Sequence, residues 1–265
     1  MDTRTAAFFD LDKTIIATSS SRAFGRPFFD GGLVSRADAV RAGYAQFLFQ
    51  VGGADARQTD RLRDSLSAMV AGWEVARVNE IVAETIHDYI DPVVFEEALA
   101  LIRRHQANGR DVIIVSASGA ELVAPIADLL GAEDWIASEL EIEEGKYTGE
   151  VTFYAYGQAK ADAIVDLARR RGYDLAHSYA YSDSVTDAPM LAVVGNGFAV
   201  NADRALRKAA IDNGWGVLHF KRPVGLRASS AAGPAIAAVV AVTVGVVVGV
   251  LIYKAVKRRR SFEFA

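Results

Sequence analysis

A short uncharged run, Thr5 to Phe9 (TAAFF), ends abruptly in an acidic turn, DLDKT. An apolar run of that length bounded by charge predicts a short buried strand. From about Ser35 to Ile90 the apolar positions instead recur every three or four residues. "RADAVRAGYAQFLFQVGG" ends on Gly52-Gly53, "DARQTDRLRDSLSAMVAG" on Gly72, and "WEVARVNEIVAETIHDYI" at Asp91-Pro92. Glycine and proline are helix stops, so three helices with no strand between them are expected, folded as an insertion. After Pro92 the rhythm alternates. A helix over 93–108, closed by Gly109, precedes the strand DVIIVS (111–116) and a helix at 119–130. A hairpin through Gly145 is predicted over 141–151. A helix at 158–171, a strand at 177–182, a short helix at 186–192, a strand at 197–200, a helix at 202–213 and a strand at 216–220 complete the pattern. Strands alternating with helices predict an α/β domain whose mostly parallel sheet is covered on both faces.

The far end breaks this pattern. Ala235 to Tyr253 (AIAAVVAVTVGVVVGVLIY) carries no charge over 19 residues, and at ~1.5 Å per residue a helix of that length spans roughly the hydrocarbon core of a bilayer. A small-residue stretch, GLRASSAAGP, precedes it and the bases KAVKRRR follow. We expect a single membrane-crossing helix over 235–253. Gly245 and Gly249 give it a GxxxG spacing, with which apolar helices can pair into a homodimer.

Charge sharpens the division. The whole chain of 265 residues has a formal net charge of −4, but from Lys221 onward eight bases stand against one acid, leaving −11 for residues 1–220. An acidic globular part argues against nucleic acid as a partner, because phosphate contacts need a basic face. There is no cysteine, hence no disulfide framework and no thiolate metal site. The histidines (His87, His105, His177, His219) are scattered singly, without metal-ligand spacing. No apolar stretch of signal-peptide length precedes the first acids, which favours a catalytic part on the cytoplasmic side; the positive-inside rule, read on KRRR alone, points the other way.

Four groups of polar residues fall at or after predicted strand ends, where α/β sheets bind their ligands. Asp10 and Asp12 follow the first strand. Ser116 and Ser118 follow the second, in IIVSASG. Lys160 begins the helix after YAYGQAK, and Asp183 and Asp187 sit in YSDSVTDAPM. Taken singly, each has a plain structural reading as a cap or a solvated side chain. Together they make a pattern. Residues i and i+2 leaving a strand point to one side, so Asp10 and Asp12 face one pocket. Carboxylates crowded there call for a hard cation such as Mg²⁺, with Asp183 joining the same ion. Lys160 and the hydroxyl and backbone N–H groups around Ser116 then suit a transferring phosphoryl group.

DLDKT, VSAS, Lys160 and SDSVTDAPM resemble, in that order, the four motifs of the haloacid dehalogenase superfamily. The helical insertion between the first two is similar to the C1 cap of its phosphoserine-phosphatase-like subfamily. The resemblance covers roughly residues 5–220. It implies a Rossmann-like core at 1–17 and 91–222 and a cap at 18–90; a linker (223–234), the membrane helix and a basic tail (254–265) follow. It further implies an Mg²⁺-dependent phosphomonoesterase. Asp10 is then the nucleophile and Asp12 the general acid and base. The metal is held by Asp10, the backbone carbonyl of Asp12 and Asp183, with Asp187 in support. Ser116 and Lys160 hold the phosphoryl group, with Ser118 and Gly119 contributing backbone N–H groups.

Two departures bear on substrate. Phosphoserine phosphatases of this type usually carry a glutamate near the position of Ser19, and their second motif reads SGG where this chain has SASG. Both disfavour phosphoserine and leave another small phosphorylated metabolite or a lipid headgroup. Phosphotransfer to an acceptor other than water, and a non-catalytic membrane scaffold with the same fold, stay open at this stage.

Overall fold

The computed structural model describes residues 4–35, 70–221 and 223. The first two expected helices of the insertion fall mostly within 36–69, and the linker, the apolar segment at 235–253 and the basic tail lie beyond 223; these expectations are outside the described residues. Among the described residues no helix is long and apolar enough to cross a membrane.

The strands are β1 (Ala6–Phe9), β2 (Asp111–Gly119), β3 (Asp134–Glu143), β4 (Lys146–Phe153), β5 (Tyr179–Ser182), β6 (Asn196–Val200) and β7 (Gly216–Leu218). Among the described residues they form one sheet in the order β4-β3-β2-β1-β5-β6-β7. All neighbours are parallel except β3 and β4, which form the hairpin. β1 lies in the middle, with Phe9 in register with Ile114 of β2 and Tyr181 of β5.

Period-two alternation along β1 sets the two layers. Ala7 and Phe9 face a core shared with helices α1 (Ser20–Asp30), α2 (Val75–Tyr89), α3 (Glu96–Ala107) and α4 (Ala120–Leu130). Ala6 and Phe8 face the other core, closed by α5 (Gln158–Arg171), α6 (Ala188–Ala192) and α7 (Arg204–Asn213). A strand buried on both sides reads as an unbroken apolar run, which is why TAAFF shows no polar alternation.

The structure corrects the expected elements in three places. Helix α1 was not anticipated, because Gly25 and Pro27 interrupt its pattern; packing of Phe24 and Phe28, whose rings lie 6.0 Å apart, with Trp73 5.6 Å from Phe28, holds it instead. β2 runs on to Gly119 rather than ending at Ser116, through an irregular register between Val115 and Gly119 that pairs Gly119 with Ser138. β3 starts at Asp134, seven residues before the expected hairpin, and so belongs to the parallel sheet before it turns into the hairpin.

Candidate active site

The carboxyl end of β1 delivers Asp10. Its N–H continues the parallel ladder to the carbonyl of Tyr181 at 2.9 Å, so the backbone is fixed where the side chain leaves the sheet. Asp10 is buried, and its two oxygens have separate partners: the Thr14 hydroxyl donates to Oδ2 at 3.1 Å and Lys160 Nζ to Oδ1 at 2.7 Å.

Lys160 is the third residue of α5, reached through Gly157 at φ 57°, ψ −122°, a backbone conformation open essentially to glycine. Its ammonium also donates to Asp187 Oδ2 at 2.8 Å, and the Ser182 hydroxyl donates to the same oxygen at 2.8 Å. Lys160 and Asp187 are only 2% and 3% exposed, so this is an ion cluster inside the protein rather than at its surface. The nitrogen that the sequence assigned to a phosphoryl group therefore ties two carboxylates together.

Asp12 sits differently. The backbone N–H of Ser20, first residue of α1, donates to Asp12 Oδ1 at 2.9 Å. The Ser118 hydroxyl donates to Oδ2 at 3.4 Å and lies 2.6 Å from the Ser20 hydroxyl. Ser118, read from the sequence as a backbone contributor, thus also uses its side chain. Its own N–H donates to the buried Ser116 hydroxyl at 3.2 Å. Gly119 follows as the N-cap of α4, where a side chain would require the Glu121 carboxylate to shift.

The electrostatics separate the acids. Burial pushes Asp10 up to about 8; Lys160 opposes this, while Asp187 and Asp183 add to it. Burial also lifts Asp183 to about 6, against the pull of Lys13 and Lys160. Burial works against the charge on Lys160, but Asp10 and Asp187 outweigh it and keep the ammonium above the usual lysine range. Asp10 and Asp187 share the one buried ammonium, and burial is what chiefly opposes charge on Asp10 and Asp183. Burial raises Asp12 as well, opposed first by the Ser20 N–H and then by the Ser20 and Ser19 hydroxyls.

An all-oxygen set in which carboxyls outnumber the one buried ammonium suits a hard divalent cation. Among the described residues no three Asp, Glu, His or Cys side chains converge closely enough to form a cage by themselves. Lys13 adopts φ 61°, unusual for a non-glycine residue, and puts its charge near Asp183 at the rim. Two grooves, of about 640 and 540 Å³, lie on other parts of the surface, and none of the eight sequence-derived site residues lines either.

Thr14, Ser182 and Ser20 were not singled out from the sequence. Thr14 stands inside DLDKT and Ser182 inside YSDS, so both were within reach of the motifs. Ser20 had a weaker signal, a serine run ahead of a helix whose apolar pattern is broken.

Against known protein families, residues 7–192 match the haloacid dehalogenase-like hydrolases. The chain is 54% identical over 264 residues to a probable phosphatase of Mycobacterium tuberculosis, covering 98% of this chain and 91% of the relative. It is 32% identical over 249 residues to a phosphoserine phosphatase of the same organism, covering 90% and 81% respectively. Among solved structures, a protein of unknown function from Bordetella pertussis superimposes with a TM-score of 0.72 at 28% identity, covering 82% of this chain and 98% of that one.

Proposed function

This chain belongs to the haloacid dehalogenase-like hydrolase family and is a phosphatase; we propose that it hydrolyses small phosphomonoesters by way of an aspartyl-phosphate on Asp10. The observation that carries this reading is the buried ammonium of Lys160, 2.7 Å from Asp10 and 2.8 Å from Asp187, at the sheet edge where Ser116 and Ser118 also lie. That ammonium and the Thr14 hydroxyl orient the Asp10 carboxylate toward the cleft. An Asp10 oxygen attacks phosphorus while the bond from phosphorus to the ester oxygen breaks, and the proton needed by the departing alkoxide comes from Asp12. Asp12, now ionised, takes a proton from the water that cleaves the acyl phosphate, which restores both carboxyls. Ser116 Oγ and the Gly119 N–H are the donors for the phosphoryl oxygens, and the Ser118 N–H supports them by holding the Ser116 hydroxyl, to which it donates.

Mg²⁺ would be held by the Asp10 and Asp183 carboxylates and the Asp12 carbonyl, with Asp187 in support. When bound it supplies positive charge against both the carboxylates and the phosphate dianion. The uncharged segment 235–253 tethers the enzyme as a single pass with the catalytic part on the cytoplasmic side, and Gly245 and Gly249 pair two copies. Its length and freedom from charge support the tether. A site held near a bilayer suits a phosphorylated lipid headgroup as well as a soluble metabolite. The kinship with a phosphoserine phosphatase supports a small phosphorylated substrate. Phosphoserine itself is disfavoured, because Ser19 stands where an acid would meet the amine.

The test is phosphate release by the full-length protein from a panel of phosphomonoesters, with and without Mg²⁺, beside Asp10→Asn. Release that requires Mg²⁺ and disappears in the variant supports the reading. Release that persists in Asp10→Asn removes the aspartyl-phosphate from it.

A further inference from the structure

Resting on the reading of Asp12 as the general acid, we infer that Ser20 is a positioning residue: together with Ser118 it decides which oxygen of Asp12 carries the catalytic proton and receives that oxygen once the proton has gone.

The first turn of a helix has N–H groups without partners inside the helix, and Ser19, the N-cap of α1, makes no side-chain cap. One of those donors, the Ser20 N–H, is spent on Asp12 Oδ1 at 2.9 Å. With Oδ1 committed as an acceptor to a backbone group, the carboxyl proton resides on Oδ2. Oδ2 is the oxygen that faces Ser118, at 3.4 Å, and Ser118 in turn lies 2.6 Å from Ser20 Oγ. Ser20 is fully buried, so its hydroxyl has no water to turn to. Backbone N–H, carboxyl and two hydroxyls close a ring that joins the first helix after β1 to the end of β2.

Each hydroxyl has one proton, which allows the ring two orientations. With Asp12 protonated, Oδ2–H is free to point at the ester oxygen, and the Ser118 hydroxyl donates to Ser20 Oγ. As the phosphorus–oxygen bond breaks, the Oδ2 proton passes to the departing oxygen and Asp12 becomes a carboxylate. The Ser118 hydroxyl then turns to donate to Oδ2, and the Ser20 hydroxyl donates to Ser118. No proton is created or lost, and the new charge on Asp12 meets a donor already beside it. A separation of 3.4 Å is long for such a bond, and it shortens when the acceptor becomes charged.

The ring matters in proportion to how much the leaving oxygen needs a proton. Full-length wild type, Ser20→Ala, Ser118→Ala and the double variant should be compared on alkyl phosphates and on p-nitrophenyl phosphate, whose leaving group departs without protonation. One hydrogen bond to a forming charge corresponds to ~10-fold or somewhat more in rate. The expected result is a loss of about that size on alkyl phosphates with a distinctly smaller loss on p-nitrophenyl phosphate, in either single variant. The double variant should lose less than the product of the two. An equal loss on both substrate classes, or full additivity, overturns the inference and leaves Ser20 a packing residue. If Ser20→Ala fails to fold, Ser118→Ala reads the same ring from its other side. A wild type that hydrolyses no phosphomonoester fails the parent reading, and this one with it, before any variant is compared.

Discussion

On the side of α5, Asp10 meets a buried ammonium at 2.7 Å. On the side of α1, Asp12 meets a backbone N–H and a hydroxyl. Two carboxyls separated by one residue thus have opposite surroundings. The first is built into an ion cluster, where its charge can be matched. The second is half-buried among neutral donors that tolerate a proton and still offer a partner when it leaves. A nucleophile needs charge and a general acid needs a proton, so the difference supports the division of labour proposed for Asp10 and Asp12. Neither environment comes from the strand that supplies both residues. Lys160 arrives on α5, and Ser20 on the helix following the acidic turn.

The comparison breaks most severely at Asp10. Asp10→Asn keeps the shape and removes the proposed nucleophile, and phosphate release should fall by ~10⁴-fold or more, the scale on which removing a nucleophile acts. Steady-state assays on any accepted substrate check this. Next comes Lys160→Met, which leaves Asp10 and Asp187 buried without their cation. Stripping one partner from a buried ionic cluster costs about 3–5 kcal/mol, so denaturant unfolding should shift as well as activity. Stability unchanged in this variant would show that the cluster relaxes at little cost.

Asp12→Asn should lose ~10²- to 10⁴-fold on alkyl phosphates, the range of general acid catalysis, and less on p-nitrophenyl phosphate. Equal losses would deny that Asp12 serves as the acid. The smallest effect lies outside the site and separates unfolding from active-site titration. His105 is buried on α3; its Nε2 lies 2.9 Å from the Tyr181 hydroxyl, and its Nδ1 has no partner among the described residues. Burial, with the Arg110 and Arg104 charges adding, lowers it from 6.5 to about 4. The unfolded chain therefore binds this proton first as pH falls. The stability His105 contributes is complete above pH 6.5 and is lost between 6.5 and about 4. The loss of thermal stability across that window should be steeper in wild type than in His105→Gln. Identical slopes would mean that His105 is not held neutral.

Much of this was legible in the chain because it is local. The unbroken TAAFF run, the closing glycine at 109 and the alternation after Pro92 each reflect forces acting over a few residues, and the elements there lie close to where they were expected. Asp10, Asp12, Asp183 and Asp187 stand out as candidates because strand ends and turns confine where their side chains start. Helix α1 escaped because its own sequence opposes it: a glycine and a proline stand in its interior, and only the burial of Phe24 and Phe28 makes up for them. The early start of β3 escaped for a related reason, since pairing with β2, not its own pattern, makes Asp134–Ile136 a strand.

By itself, then, the sequence determined the kind of fold, the acids at the strand ends and the uncharged segment near its end, all consequences of periodicity and short-range chemistry. Tertiary structure alone decided the partners. Lys160 binds Asp10 across 150 positions, and Ser20 meets Ser118 across 98. Nothing local encodes which buried donor reaches which acceptor. That choice is made when the sheet and helices close and buried polar groups, with few exceptions, find partners among those brought within reach.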